Sequence, residues 1–214
     1  MIELEWKRDS KGYRLKPAVP ATAAAAATLV LGGEGEPERI VRDGGKLESY
    51  RPTAQYDRLF VNFANISSVD GLLGFVNQYG PLTGAGNDSV GDSVEELLRQ
   101  ARDMKRLIEP LKKAQLGERL LDGPTGLLGR AEVSLVLDEN RRCVLRLTAP
   151  NLLTALWLQF GQAAAGGVQL RTCQHCQDIF SVGPGTGRRL DAMFCSAKHK
   201  RTHFSLKRSR RDPK

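Results

Sequence analysis

The sequence predicts an α+β fold: an N-terminal mixed domain of hairpins and amphipathic helices over residues 1–167, then a small treble-clef-like zinc finger with a basic helix over residues 168–214. Three observations lead there. Apolar residues alternate at strand period near the start of the chain and again around residue 140, and recur at helical spacing in between and after. The glycine pair Gly166 and Gly167 interrupts the last of these helical runs. Beyond it lie two pairs of Cys and His residues at metal-ligand spacing.

Composition sets the frame. At 214 residues the chain suits one core of ordinary size plus an appendix. Hydrophobic content of 41% with 26% charged residues is that of a globular chain and excludes a largely disordered one. The longest apolar stretch, Ala21 to Leu31, falls short of the ~20 residues that cross a bilayer. The opening MIELEWKRDS puts Glu and Lys where a signal peptide needs its basic and apolar regions. A cytoplasmic protein with no membrane partner is expected.

Ile2, Leu4 and Trp6 share one face and are followed, after a polar turn from Asp9 to Gly12, by Tyr13 and Leu15, a pattern that predicts a hairpin. The Ala- and Gly-rich stretch over residues 20–37 reads equally as helix or as flexible linker. A second, weaker hairpin is expected to turn at Asp43, Gly44 and Gly45. Helical signals begin at Tyr56. Ser67 or Ser68 then caps a helix bearing Val69, Leu72, Leu73 and Val76, which Gly80 and Pro81 stop where an αL cap is expected. Ser93 and Glu96 suggest a capping box for a longer helix over residues 94–114. Its apolar stripe runs through Leu97, Ala101, Met104 and Ile108 to Leu111.

The clearest hairpin lies between Ala131 and Leu147, where Val133, Leu135 and Leu137 face Cys143, Leu145 and Leu147 across the turn from Asp138 to Arg142. Cys143 is read there as a small buried hydrophobe, not a metal ligand. Pro150 opens a helix carrying Leu152, Leu153, Leu156, Trp157 and Phe160, whose aromatic stripe suits a core.

Charge is distributed unevenly. Residues 1–170 hold 21 basic and 21 acidic side chains, whereas residues 171–214 hold 11 and 3, so the C-terminal segment carries the whole net charge of +8. That is the footprint of a nucleic-acid contact or of a solvated tail.

The same segment carries the chemistry. Cys173 and Cys176 form a C-x2-C pair; 18 residues later come Cys195 and His199 in C-x3-H. Two soft-ligand pairs inside 27 residues have the composition of a closed tetrahedral zinc site. Free thiols or disulfides are the alternative, and a reducing compartment disfavours the latter. His203, one helical turn beyond His199, competes for the fourth position, while His175 within the first turn is expected to point away. Four protein ligands leave no open coordination position, so the ion would fold the segment and not act as a Lewis acid. Lys198, Lys200, Arg201, Lys207, Arg208, Arg210 and Arg211 follow on the expected helix, with Arg188 and Arg189 before it and Phe204 able to pack inward. Phosphate contact is their natural role.

The order of these elements, with NQYGPL, LLRQARDMKRLIEPL, LLTALWLQF and LRTCQHCQDIF followed by a basic C-terminal stretch, resembles ABATE-domain proteins that end in a CGNR-type zinc finger. Phe180, Arg188, Arg189 and Phe194-Cys195 look similar to that finger, and His199-Lys200-Arg201-Thr202 stands where Cys-Gly-Asn-Arg would be. The resemblance implies a bacterial, stress-induced transcriptional regulator that binds DNA. A larger domain that senses an effector or forms a homodimer would accompany it. A zinc-finger adaptor for RNA or an acidic protein partner is the alternative. An enzyme is not expected, since all three histidines lie beside the proposed metal and no phosphate loop or nucleophile elbow occurs.

Overall fold

The computed structural model describes residues 2–18, 37–52, 58–83, 91–112, 131–137, 141, 143–166, 168–183 and 186–209. The stretch over residues 20–37, read as helix or linker, lies outside the described residues except for Pro37. In chain order the elements are β1 (Ile2–Glu3), β2 (Trp6–Asp9), β3 (Tyr13–Lys16), β4 (Arg39–Arg42), β5 (Leu47–Tyr50), α1 (Leu59–Ala64) and α2 (Val69–Tyr79). They continue with β6 (Asp92–Ser93), α3 (Val94–Lys112), β7 (Glu132–Leu137), β8 (Cys143–Thr148), α4 (Leu152–Ala165), β9 (Gln169–Thr172), β10 (Ile179–Val182) and α5 (Ala197–Ser209). Helices and small sheets alternate, an α+β arrangement as the sequence predicts.

The two N-terminal hairpins do not form. β2 pairs with β5 and β3 with β4, in registers running from Trp6↔Tyr50 to Lys16↔Arg39. Residues 6–16 and 39–50 are therefore one antiparallel ribbon with a corner in its middle. Ser10 N–H donates to the Lys46 carbonyl (2.9 Å) and Asp43 N–H to that of Gly12 (3.0 Å), carrying the ladder through the corner. The polar residues that resemble turn signals have another task. The buried Asp9 carboxylate accepts the N–H of Lys11 (2.8 Å), the N–H of Gly45 (2.8 Å) and Nε of Arg42 (2.9 Å), clamping both strands of the bend. Gly12, at φ +87°, comes so close to the Asn77 side chain that a Cβ would collide with it. That side chain accepts the Tyr13 N–H (2.7 Å) and fixes the ribbon to α2.

Burial pushes the Asp9 carboxyl up, but its donors from Lys11, Arg42 and Gly45 outweigh burial and leave it below its ordinary value. A lowered carboxyl contributes stability that is fully present above the unfolded value of ~3.9 and is lost as pH falls through the folded one. Asp9→Asn should therefore cost about 1–3 kcal/mol at neutral pH, since two strand N–H groups and Arg42 lose a charged acceptor. It should also flatten the acid limb of a plot of unfolding midpoint against pH. An unaltered acid limb would show that the corner does not depend on this charge.

The helices follow their sequence signals closely. Ser68 caps α2 by accepting the Gly71 N–H. Gly80 ends it at positive φ (84°), but with ψ 178° in place of the αL cap expected, a conformation open to glycine alone. α3 is described as far as Lys112, and only half of its capping box forms. Ser93 Oγ accepts the Glu96 N–H (3.4 Å), while the Glu96 carboxylate is held by Arg99 and Gln100. Asp92 does not serve the helix start; buried just ahead of α3, it accepts the N–H groups of Leu82 and Thr83 and pins the chain leaving α2. α4 is capped by Asn151, which accepts the Thr154 N–H (2.8 Å). It is buried at Leu152, Leu153, Leu156, Trp157 and Phe160, so the aromatic stripe is core.

β7 and β8 pair in the register the sequence predicts, with Val133↔Leu147, Leu135↔Leu145 and Leu137↔Cys143. Their apolar row is nonetheless largely outside the core: Leu135 is 71% exposed, and Cys143 is exposed, not buried. Only one end of the hairpin is anchored. β1 runs parallel to β8 at Ile2↔Leu147 and Glu3↔Thr148, and Leu147 packs against the core there.

The expected boundary at residue 167 does not divide the hydrophobic core. Leu170 of β9 and Ile179 of β10 are buried together with Phe60, Phe63, Met104 and Leu156. Beyond them a second, much smaller cluster holds Cys173, Phe180, Val182 and Phe194.

Candidate metal centre

The site is built on the period-two alternation of β10, buried along its whole length. Ile179 enters the main core, whereas Phe180 and Val182 enter the small cluster. The strand is fixed to α1 by the residue after that helix. Asn65 Nδ2 donates to the Ile179 carbonyl and its Oδ1 accepts the Ile179 N–H, both at 2.8 Å. Arg58, just before α1, donates to Ser181 Oγ (2.9 Å).

β9 and β10 pair from Thr172↔Ile179 to Gln169↔Val182, and the C-x2-C pair forms the tip between them. Cys173 N–H donates to the Asp178 carbonyl (2.8 Å) and Gln177 N–H to that of Cys173 (2.9 Å). This tight tip requires a positive φ at Gln177 (63°), rare outside glycine. The second pair is brought over it by the returning chain. Gln174 N–H bonds the Met193 carbonyl (3.0 Å), Phe194 is buried in the small cluster, and Arg188 Nε bonds the Cys195 carbonyl (3.1 Å). α5 begins only at Ala197; Ser196 Oγ accepts the His199 N–H (3.2 Å), leaving Cys195 just ahead of the helix and His199 in its first turn.

Cys173, Cys176, Cys195 and His199 thereby converge, with one ligand atom from each lying within 4.8 Å of all the others. Sγ of Cys176 and Cys195 are 3.8 Å apart, Cys173 Sγ is 3.9 Å from His199 Nδ1, and Cys195 Sγ is 2.9 Å from the same nitrogen. A tetrahedron with Zn–S near 2.3 Å and Zn–N near 2.0–2.1 Å has edges of about 3.8 Å between sulfurs and about 3.6 Å between sulfur and nitrogen. The first separation fits, the second is about 0.3 Å too long and the third about 0.7 Å too short, differences that a small turn of the His199 ring would take up. The four residues could hold a metal ion.

The electrostatics agree. Burial pushes the Cys173 thiol up, but the N–H groups of Cys176, Cys195 and His175 and the His199 ring outweigh it and bring the thiol down to about 6. Cys176 is pushed up to about 12, by burial first and then by groups around it that include the two sulfurs. Cys195 is raised by burial and by Cys173. Three sulfurs this close cannot all be thiolates unless a cation lies among them.

His203 is not among the converging ligands; its ring lies 5.2 Å from that of Phe194. His175 is not among the clustered ligands, in line with its expected direction; its ring lies 5.0 Å from that of His199 and 6.3 Å from that of His203. Lys198, Lys200, Arg201 and Lys207 are exposed along α5, and Arg189 is exposed before it. Phe204 does not pack inward fully: it is 43% exposed, although its ring sits 5.8 Å from Phe194. Arg188 is partly committed to structure, lying over the Phe180 ring at 5.6 Å besides bonding Cys195. The Arg208 side chain, Arg210 and Arg211 lie outside the described residues. Sequence reasoning missed Arg58, Asn65 and Ser196. Only Ser196 carries a local signal, a cap residue three positions before a helical ligand.

No family model, no characterised protein and no solved structure matches the chain. Among the described residues, no helix is long and apolar enough to cross a membrane.

Proposed function

We propose that the four-residue cluster holds a structural zinc ion in a treble-clef-like module that presents α5 to nucleic acid, DNA before RNA, as in a bacterial transcriptional regulator. The role is one of binding, not catalysis. One observation carries this reading. At about 100° per residue, the exposed Arg201 lies about 200° round α5 from His199, and the exposed Lys200 and Lys207 about 100° and 80° round, so cations cover the flank and the far side of the helix whose remaining face carries the ligand. Thiolate and imidazole donors at near-tetrahedral separations favour zinc over harder ions. With all four positions supplied by protein, the ion's contribution is to fold the tip. Asn and Gln, the usual adenine readers, are absent from α5, so we give positioning on the phosphate backbone more weight than sequence readout.

Neutralising Lys200, Arg201, Arg208 and Arg211 together should weaken DNA binding in a gel shift. It should also make the slope of log affinity against log salt shallower by about 3–4. An unchanged slope removes α5 from the interface. Binding that disappears with RNA competitor but persists with DNA competitor would select the adaptor reading.

A further inference from the structure

The hairpin of β7 and β8 is held to the main core at one end and carries an uncovered apolar face beyond it. We propose that this face is a dimerisation surface, on which the same hairpin of a second copy of the chain packs face to face about a two-fold axis.

Val133, Leu135 and Leu137 of β7, opposite Leu147, Leu145 and Cys143 of β8, make up the face. Strand alternation puts Ser134, Val136, Val144 and Arg146 on the other side. Burial runs opposite to what an antiparallel sheet with one solvated face shows. Val136, Val144 and Arg146 are half-buried, whereas Val133 is 63% exposed, Leu135 71%, Leu137 67% and Leu145 51%, and Cys143 is exposed beside them. β1 reaches only Leu147 and Thr148, so among the described residues the sheet has two strands from Arg146 outward. A two-stranded ribbon is marginal in water and needs a further layer on its apolar face.

Charge and area select a second copy as that layer. In an isologous contact the same patch meets itself, so any charge near its centre confronts its like; this face carries none. For the same reason it offers nothing to the phosphates of a nucleic acid. The exposed parts of Val133 and the three leucines amount to roughly 400 Å² of apolar surface, the size of patch that marks an interaction site. Buried from both copies this is roughly 800 Å², and with apolar atoms forming about 65% of a homodimer interface the whole contact comes to about 1,200 Å², the lower end of specific interfaces. Sheets packed face to face stand about 10 Å apart, which lets leucines from both copies interdigitate. The contact involves neither the metal ligands nor α5, and it stands or falls independently of DNA binding.

The test is sedimentation equilibrium of the full-length, metal-loaded protein over roughly a hundredfold range of concentration spanning the micromolar, where a contact of this size should dissociate. A mass rising from 23.5 kDa to twice that value is expected. Leu135→Lys, which sets two cations against each other at an exposed position, should weaken the dimer at least about tenfold, and Leu137→Lys should do the same. Ser134→Lys, on the other side of the same strand, should leave it unchanged. Alkylation of Cys143, followed by mass spectrometry, should slow as the wild-type concentration rises and be independent of concentration in Leu135→Lys. A monomer throughout the range overturns the proposal, whether Cys143 then proves shielded by the chain itself or the protein sediments with lipid vesicles. A dimer undiminished in both leucine variants, or weakened equally by Ser134→Lys, overturns it as well.

Discussion

Removing the metal with a chelator, or replacing Cys173 with Ser, is expected to unfold the outer part of the C-terminal module while the rest of the protein stays folded. Among the described residues the small cluster holds four buried side chains, Cys173, Phe180, Val182 and Phe194, with the partly buried Cys176, Ala192 and Cys195 packed against them. So small a core cannot offset the entropy of ordering residues 173–199 by itself. Structural zinc supplies about 10–16 kcal/mol in small finger peptides at neutral pH, enough to decide the matter. The loss should be confined because Leu170 and Ile179 are anchored in the large core. Hydrogen exchange is the measurement. After chelation, protection at Val182, Phe194 and the first turns of α5 should vanish, while the ribbon of β2 to β5 retains its own. Unchanged protection at those positions would mean that the tip folds without metal, and the zinc reading would go with it.

Phe60→Ala should be the most damaging single change in the main core. Phe60 is fully buried, its ring meets Phe160 edge-on at 5.9 Å between centroids, and its N–H donates to the side chain of the buried Gln159. Truncating a buried phenylalanine costs about 3–5 kcal/mol, a large part of the ~5–15 kcal/mol that holds a domain together. The midpoint of denaturant unfolding should fall accordingly. Because α1 carries Asn65, which fixes β10, the damage should reach the join between the main core and the metal cluster as well. Exchange at Ile179 is expected to quicken even where zinc remains bound. A midpoint within about 1 kcal/mol of wild type would place the packing weight elsewhere.

What the sequence disclosed was local. α2, α3 and α4 announce themselves through caps and stripes that act within a few residues, and the register of β7 with β8 follows from alternation across one short turn. The metal cluster was equally legible, because two ligand pairs each act within a turn. The N-terminal ribbon was not, since Asp9, Gly12, Gly44 and Gly45 are the residues of a reverse turn and also of a clamped bend. Contacts from the other strand, Arg42 and Gly45 reaching Asp9, distinguish the two. Cys143 was misplaced for a related reason: alternation fixes which residues share a face of a sheet but is silent on what covers it. The ring contact of His175 with His199 and the roles of Arg58 and Asn65 depend on partners that folding, not spacing, brings close.

The pairing of β1 with β8 also bears on how the chain is made. Ile2 and Glu3 pair with Leu147 and Thr148, residues made much later in synthesis. At roughly 5–20 residues per second, the first strand waits roughly 7–30 s for its neighbour to be synthesised. During that interval Ile2 and the later-buried Leu4 have no finished sheet to join. β1 therefore cannot settle in its sheet until β8 has been made, which makes this segment, while nascent, a natural client for chaperones that bind short apolar stretches.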